Sequence, residues 1–188
     1  MLVIGANGAG KSTLLRVLAG KHLVPQEQVR VLGRAAFHDP ELSTRVEILA
    51  RQHNADAARR DRLIDVLGVD LEWHMHAVSD GQRRRVQLLL GLLRPLEVLL
   101  LDEVTTDLDL VARFDLLQFL REESEQRGTT ILYATHIFDA LHEWATSIVY
   151  MVAGKIARRC PIGEIVELRD TSLVHLVERW LRRDQPKR

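Results

Sequence analysis

Residues 5–12 read Gly-Ala-Asn-Gly-Ala-Gly-Lys-Ser, the order G-x-x-x-x-G-K-S. The chemistry open to such a stretch is phosphate capture. Glycines at 5, 8 and 10 let the backbone curl, so that N–H groups across Asn7, Gly8, Ala9 and Gly10 converge on one anion. Lys11 sets a cation against the outer phosphate oxygens. The Ser12 hydroxyl completes the shell of a Mg²⁺ ion, and Thr13 continues the same turn. The context also fits: an apolar strand, Met-Leu-Val-Ile, enters the stretch, and helical spacing from Lys11 to Gly20 leaves it. A strand–turn–helix that merely tolerates glycines leaves the adjacent Lys and Ser unexplained.

A triphosphate with its Mg²⁺ needs a carboxylate at the end of a neighbouring strand. Leu99-Leu100-Leu101-Asp102-Glu103 supplies two. Asp102 is assigned to the metal through water, because Mg²⁺ keeps part of its hydration shell. Glu103 is assigned to orienting or deprotonating the attacking water. A strand ending in solvated charges is the plainer alternative, and the phosphate loop weighs against it. A further polar stretch, Val-Ser-Asp-Gly-Gln followed by three arginines, begins at Val78. Ser79, Gly81 and Gln82 suit a helix N-terminus, where unpaired backbone N–H groups attract anions. One domain thus carries two anion-facing helix starts.

Strands and helices must alternate to position these groups. Besides the strand entering the loop, Gln28–Gly33 reads as a strand and residues 40–69 as polar helix with an apolar face at Leu63, Ile64, Val66 and Leu67. Ser79 starts a helix, residues 97–103 form a buried strand, and an amphipathic helix from Leu110 stops at Gly128. "TTILYATH" is the next strand, ending at His136, and a hairpin turns at Ala153–Gly154. The alternation implies an α/β P-loop fold with a largely parallel sheet flanked by helices. Hydrophobic residues make up 46% and charged residues 28%, the balance of a folded globular domain. Lys+Arg and Asp+Glu are both 26, so no global charge points to nucleic acid or an anionic membrane. The longest apolar run, from Val86 to Leu101, is broken by Arg94, Pro95 and Glu97 and does not reach membrane-spanning character. A single cysteine, Cys160, excludes an internal disulfide framework. The expectation is a soluble cytoplasmic domain, with the nucleus as the alternative location.

The order phosphate loop, Ser-Asp-Gly-Gln, carboxylate strand, Thr105-Thr106-Asp107-Leu108-Asp109 and His136 resembles the ABC-type ATPases, from Val3 to about Lys155. Asp80 and Val104 stand where transporter ATPases have Gly and Pro. With the stretches around them, they resemble the small class I (non-intrinsic) members, which include plant soluble proteins and a fungal factor of the NOT-type deadenylase complex. The resemblance implies ATP and Mg²⁺ as cofactors and a head-to-tail homodimer with two ATP molecules sandwiched between the chains. Ser79, Gly81 and Gln82 then cap the γ-phosphate held by the partner's loop. Asp109 makes a cross-subunit contact, and His136 contacts the γ-phosphate. It also implies domain limits of 1–160 for the ATPase, with an abbreviated helical subdomain at about 40–95, and 161–188 for a C-terminal helical extension. The strands and the adenine-stacking aromatic residue that precede the loop in the family are expected to be missing. Gln52 is a weak candidate for the family's glutamine loop, and its reading as a solvated helix residue is favoured.

ATP hydrolysis is the leading activity. The alternative is a nucleotide-gated scaffold, a subunit of a gene-expression or mRNA-decay assembly with little turnover, or a catalytically impaired fragment. A P-loop kinase or GTPase leaves the Ser-Asp-Gly-Gln stretch without a role. Arg83, Arg84 and Arg85 read as a solvated or interface-facing turn rather than a nucleic-acid site. His74 and His76 lack nearby ligands for a metal. Leu173, Leu176, Val177 and Trp180 form a helical stripe that packs onto the domain or docks a partner.

Overall fold

The computed structural model describes residues 1–22, 24–25, 28–35, 46–47, 57–138 and 141–184. In chain order the elements are β1 (Leu2–Gly5), α1 (Lys11–Leu18), β2 (Arg30–Val31), β3 (Arg34–Ala35), β4 (Val46–Glu47), α2 (Ala57–Leu67), α3 (Asp80–Leu92), β5 (Val98–Asp102), α4 (Leu110–Arg127), β6 (Thr130–Ala134), α5 (Leu141–Trp144), β7 (Ser147–Val152), β8 (Lys155–Pro161) and α6 (Leu173–Asp184). The architecture is mixed α/β, with a mostly parallel sheet and helices packed on it. Two compact units divide the chain. One comprises Met1–His38, Leu101–Glu103 and Leu132–Arg188; the other comprises Asp39–Leu100 and Val104–Ile131.

In the first unit the strands lie in the order β5-β6-β1-β7-β8, with β5 and β6 contributing their C-terminal ends. β1 is parallel to both neighbours: Val3 is level with Ala134 of β6 and Val149 of β7. A strand paired on both edges and covered on both faces must be apolar throughout. Leu2, Val3 and Ile4 are accordingly fully buried. β8 closes the order antiparallel to β7, through the turn expected at Ala153–Gly154. The stripe on α6 packs inward rather than offering a docking face: Leu173, Leu176, Val177 and Trp180 are buried, and the Trp180 ring lies 5.2 Å from that of Tyr150.

In the second unit α2, α3 and α4 bury Leu63, Leu67, Leu88, Leu92, Leu116 and Leu120. Inside this apolar set lies an ion pair. Arg59 donates to the Glu123 carboxylate at 2.7 Å and to the Leu92 carbonyl at 2.8 Å, so a buried guanidinium joins one residue of each helix. Phe119 lies beneath it, 5.1 Å from ring centroid to guanidinium carbon. Gly128 ends α4 with φ 72°, as expected of a helix-stopping glycine.

Two sequence expectations are corrected. Gln28–Gly33 is not one strand: β2 turns at Leu32 (φ 51°) and Gly33 (φ 78°) into β3, and two successive left-handed residues make the tight turn of a hairpin. Residues 40–69 are not helical throughout. Val46 and Glu47 are extended and pair in parallel with Val98 and Leu99, because the open edge of β5 supplies backbone partners there, and helix begins at Ala57. Gln52 lies outside the described residues. No helix among the described residues is long and apolar enough to cross a membrane.

Candidate functional site

Backbone geometry fixes the phosphate loop. A Cβ on Gly5 would sit 2.6 Å from the Met151 carbonyl oxygen and 2.9 Å from the Ala9 Cβ, so only glycine fits where β1 ends. Gly8 (φ 80°) and Gly10 (φ 97°) are left-handed, a conformation side chains resist. Gly10 is also the N-cap of α1, and as a glycine it lends no side chain to the first N–H groups of that helix. Those groups face a cavity of about 380 Å³, lined by Asn7, Gly8, Ala9, Gly10, Lys11, Ser12, Thr13 and Glu103. Gly5 acts one step back, at the junction of strand and loop. Lys11 is buried on the same loop, and its ammonium donates to the Gly5 and Ala6 carbonyls at 2.9 and 3.3 Å. An ammonium carries three donors, so one remains for a phosphate oxygen.

Asp102 ends β5 and Glu103 follows it, both in the same unit. Asp102 Oδ1 is buried and has no hydrogen-bond partner among the described residues. A buried carboxylate oxygen without a donor is costly unless a cation meets it. That oxygen and the Ser12 hydroxyl are both hard donors of the kind Mg²⁺ takes, so the chemistry of these residues fits that ion. Glu103 is left-handed (φ 50°), which for a residue with a Cβ costs roughly 1–2 kcal/mol. Its N–H is tied to the Ala134 carbonyl at 2.9 Å. Its Oε2 lies 2.9 Å from His136 Nδ1 and accepts from the His136 N–H at 3.3 Å. The strain and the histidine together aim this carboxylate into the cavity. His136 itself follows β6 rather than ending it, because the strand closes at Ala134.

Ser79, Gly81, Gln82 and Asp109 belong to the second unit. Ser79 is the N-cap of α3. Its Oγ accepts from the Gln82 N–H at 3.2 Å, and the Gln82 Oε1 accepts from the Ser79 N–H at 2.9 Å, a reciprocal capping box. A Cβ on Gly81 would lie 3.0 Å from the Asp107 carbonyl oxygen, so this glycine lets the start of α3 approach the loop before α4. Asp109 is the N-cap of α4: Oδ1 accepts from the Ala112 N–H at 3.0 Å, and Oδ2 pairs with Arg85. The Ala112 N–H has the largest effect and holds the Asp109 carboxyl below the usual carboxylate range. Burial opposes it and the Arg85 charge reinforces it. The three arginines are therefore not one patch. Arg83 is exposed, while half-buried Arg85 turns to Asp109 and the Leu67 carbonyl. The Ser-x-x-Gln spacing announced the capping box; nothing near Arg85 announced its partner. His74 and His76 stack at 5.7 Å, and no cluster of three metal-ligating residues occurs among the described residues.

The family model described as ABC transporter matches residues 1–106. The chain belongs to the ABC transporter family. This cassette is 47% identical to ABC transporter I family member 20 of Arabidopsis thaliana, over 98% of the chain and 65% of the plant protein. It is 41% identical to CCR4-associated factor 16 of Saccharomyces cerevisiae, over 88% of the chain and 70% of the yeast protein. The chain thus spans about two thirds of the length of these relatives. Its fold matches that of the ATP-binding cassette MJ0796, solved as a dimer in a post-hydrolysis state with ADP and Pi bound. The TM-score is 0.69 at 19% identity, over 86% of this chain and 84% of that one. Membership makes this cassette an ATP-binding protein of a family whose members use Mg²⁺ and generally hydrolyse ATP.

Proposed function

We propose that this cassette hydrolyses ATP as a head-to-tail dimer, each chain closing the other's nucleotide site. The observation that carries the reading is the cavity in which the loop residues 7–13 and Glu103 share one lining. Loop N–H groups and Lys11 bind and orient the β- and γ-phosphates. Ser12 and Asp102 hold Mg²⁺, which when bound offsets charge on the phosphate oxygens. Glu103, held by His136, takes the proton of a water aligned with the γ-phosphate. Ser79, Gly81 and Gln82 of the second copy then face that phosphate from the start of α3, where the helix dipole favours negative charge. The cytoplasm, with the nucleus as alternative, is the proposed location, and direct nucleic-acid binding has no part in the reading.

A second reading is a nucleotide-gated scaffold, a regulatory subunit with little turnover. It is favoured by the internal use of the Ser79, Gln82 and Asp109 side chains. The likeness to a protein named CCR4-associated factor 16 supports a protein partner of the deadenylase or transcription-regulatory type. Phosphate release by the purified chain, with and without Mg²⁺ and across protein concentration, separates the two. Mg²⁺-dependent release per chain that rises with concentration is the expected result. Absence of release at any concentration, with ATP bound, establishes the scaffold instead.

A further inference from the structure

We infer that the β7–β8 turn at Ala153–Gly154 is a positioning brace for the phosphate loop, setting nucleotide affinity without touching the nucleotide. The first observation is a hydrogen bond: the Gly154 N–H donates to the Ala9 carbonyl at 3.0 Å. In a trans peptide the C=O and the following N–H point in opposite directions. Holding the Ala9 carbonyl against the turn therefore turns the Gly10 N–H away from it. Gly154 does not line the 380 Å³ phosphate cavity, so its influence on that cavity passes through the loop backbone.

Close packing gives a second line. A Cβ on Gly10 would lie 3.3 Å from the Gly154 Cα and 3.6 Å from the Met151 Cε, and one on Gly5 would strike the Met151 carbonyl. Both ends of the loop thus rest on this one hairpin. The hairpin is shaped for the task. Ala153 (φ 47°) and Gly154 (φ 78°) are both left-handed, which makes a two-residue turn with little freedom to swing its N–H. The register slips between Tyr150 and Met151: Tyr150 pairs with Arg158 while Met151 pairs with Ile156. The extra residue, Ala157 of β8, re-aims the hairpin opposite Met151, the residue beneath Gly5 and Gly10. The base of the hairpin is anchored in turn. Tyr150 packs on Trp180 at 5.2 Å, and Arg158 stacks over the same ring at 5.0 Å.

The test pairs two substitutions at Gly154, where nothing lies within 4 Å of an added Cβ, so the Asn side chain meets no crowding. Gly154→Pro removes the donor and forbids the left-handed φ; Gly154→Asn keeps the N–H and tolerates that φ. ATP affinity is measured by titration well below the melting temperature, with circular dichroism confirming the fold. The Pro variant is expected to bind at least about tenfold more weakly, and the Asn variant within about threefold of the parent. A role in folding alone would lower the melting temperature and leave low-temperature affinity unchanged. Should the Pro variant not fold, hydrogen exchange on the unaltered chain decides. Saturating Mg²⁺-ATP slows exchange of the Gly154 amide while the Gly33 amide in the β2–β3 turn stays unchanged. A folded Pro variant with parental affinity, or a Gly154 amide indifferent to nucleotide, overturns the brace. Lys11→Ala serves as the control: lost affinity there with none lost in the Pro variant sinks the brace and leaves the loop assignment standing.

Discussion

The two helix starts proposed to face phosphate are built on opposite plans. At residues 5–13 the loop spends almost no side chains on itself. Its glycines take left-handed backbone, its N-cap has no side chain, and its helix N–H groups are left to the cavity. At residues 79–82 the polar side chains are already used, because Ser79 and Gln82 satisfy each other's N–H groups and Asp109 caps α4 while holding Arg85. The first start is organised for a ligand, and the second is organised for its helix first. A satisfied cap still presents the N–H of Gly81 and the positive end of α3, so it can meet a phosphate, but with donors rather than with new side-chain chemistry. The difference teaches that a motif's residues can serve fold and ligand together, and that substitutions must separate the two.

The largest effect is expected in the first region. Glu103→Gln keeps the shape of the side chain and removes the base, so turnover should fall roughly 10²–10⁴-fold with ATP affinity retained. A steady-state phosphate assay beside a binding titration checks this. Equal turnover in parent and variant would leave the Glu103–His136 pair without a catalytic role. In the second region, Ser79→Asp preserves a good N-cap and complements the helix dipole, so thermal stability should stay within about 0.5 kcal/mol of the parent. The new charge would face a phosphate on the partner chain, where like charges cost several kcal/mol. Turnover should then drop at least about tenfold while each chain still binds ATP. Unchanged turnover in this variant would mean that the capping box serves only its own helix.

The smallest effect lies in the anchor behind the phosphate loop. The Tyr150 hydroxyl is pushed up to about 12, first by burial and then by its hydrogen bond to Asp184. A raised folded value means that its contribution to stability is complete below pH 10, the ordinary tyrosine value, and is lost as pH rises toward about 12. Denaturation midpoints of the parent and Tyr150→Phe should therefore converge between those limits. A constant difference across that window would show that the hydroxyl is not held as described.

Much of this cassette is legible in its sequence because the deciding interactions are short in range. The order Gly5 to Ser12 fixes a loop by which backbone angles each residue permits, and the run Leu99–Leu101 before Asp102 and Glu103 marks a strand buried on both faces with carboxylates at its end. Ser79 and Gln82, three residues apart, spell their own helix start, and Gly128 its helix stop. Tertiary structure decided the rest. Val46–Glu47 became a strand because β5 offered an open edge, and local polarity carries no record of that edge. Arg85 found Asp109 24 positions away, Arg59 found Glu123 64 away, and Gly154, late in the chain, came to meet Ala9 because β7 lies beside β1. Spacing along the chain encodes which angles a residue can adopt; which carbonyl, carboxylate or ring it meets is settled when distant strands and helices pack and every buried polar group must find a partner.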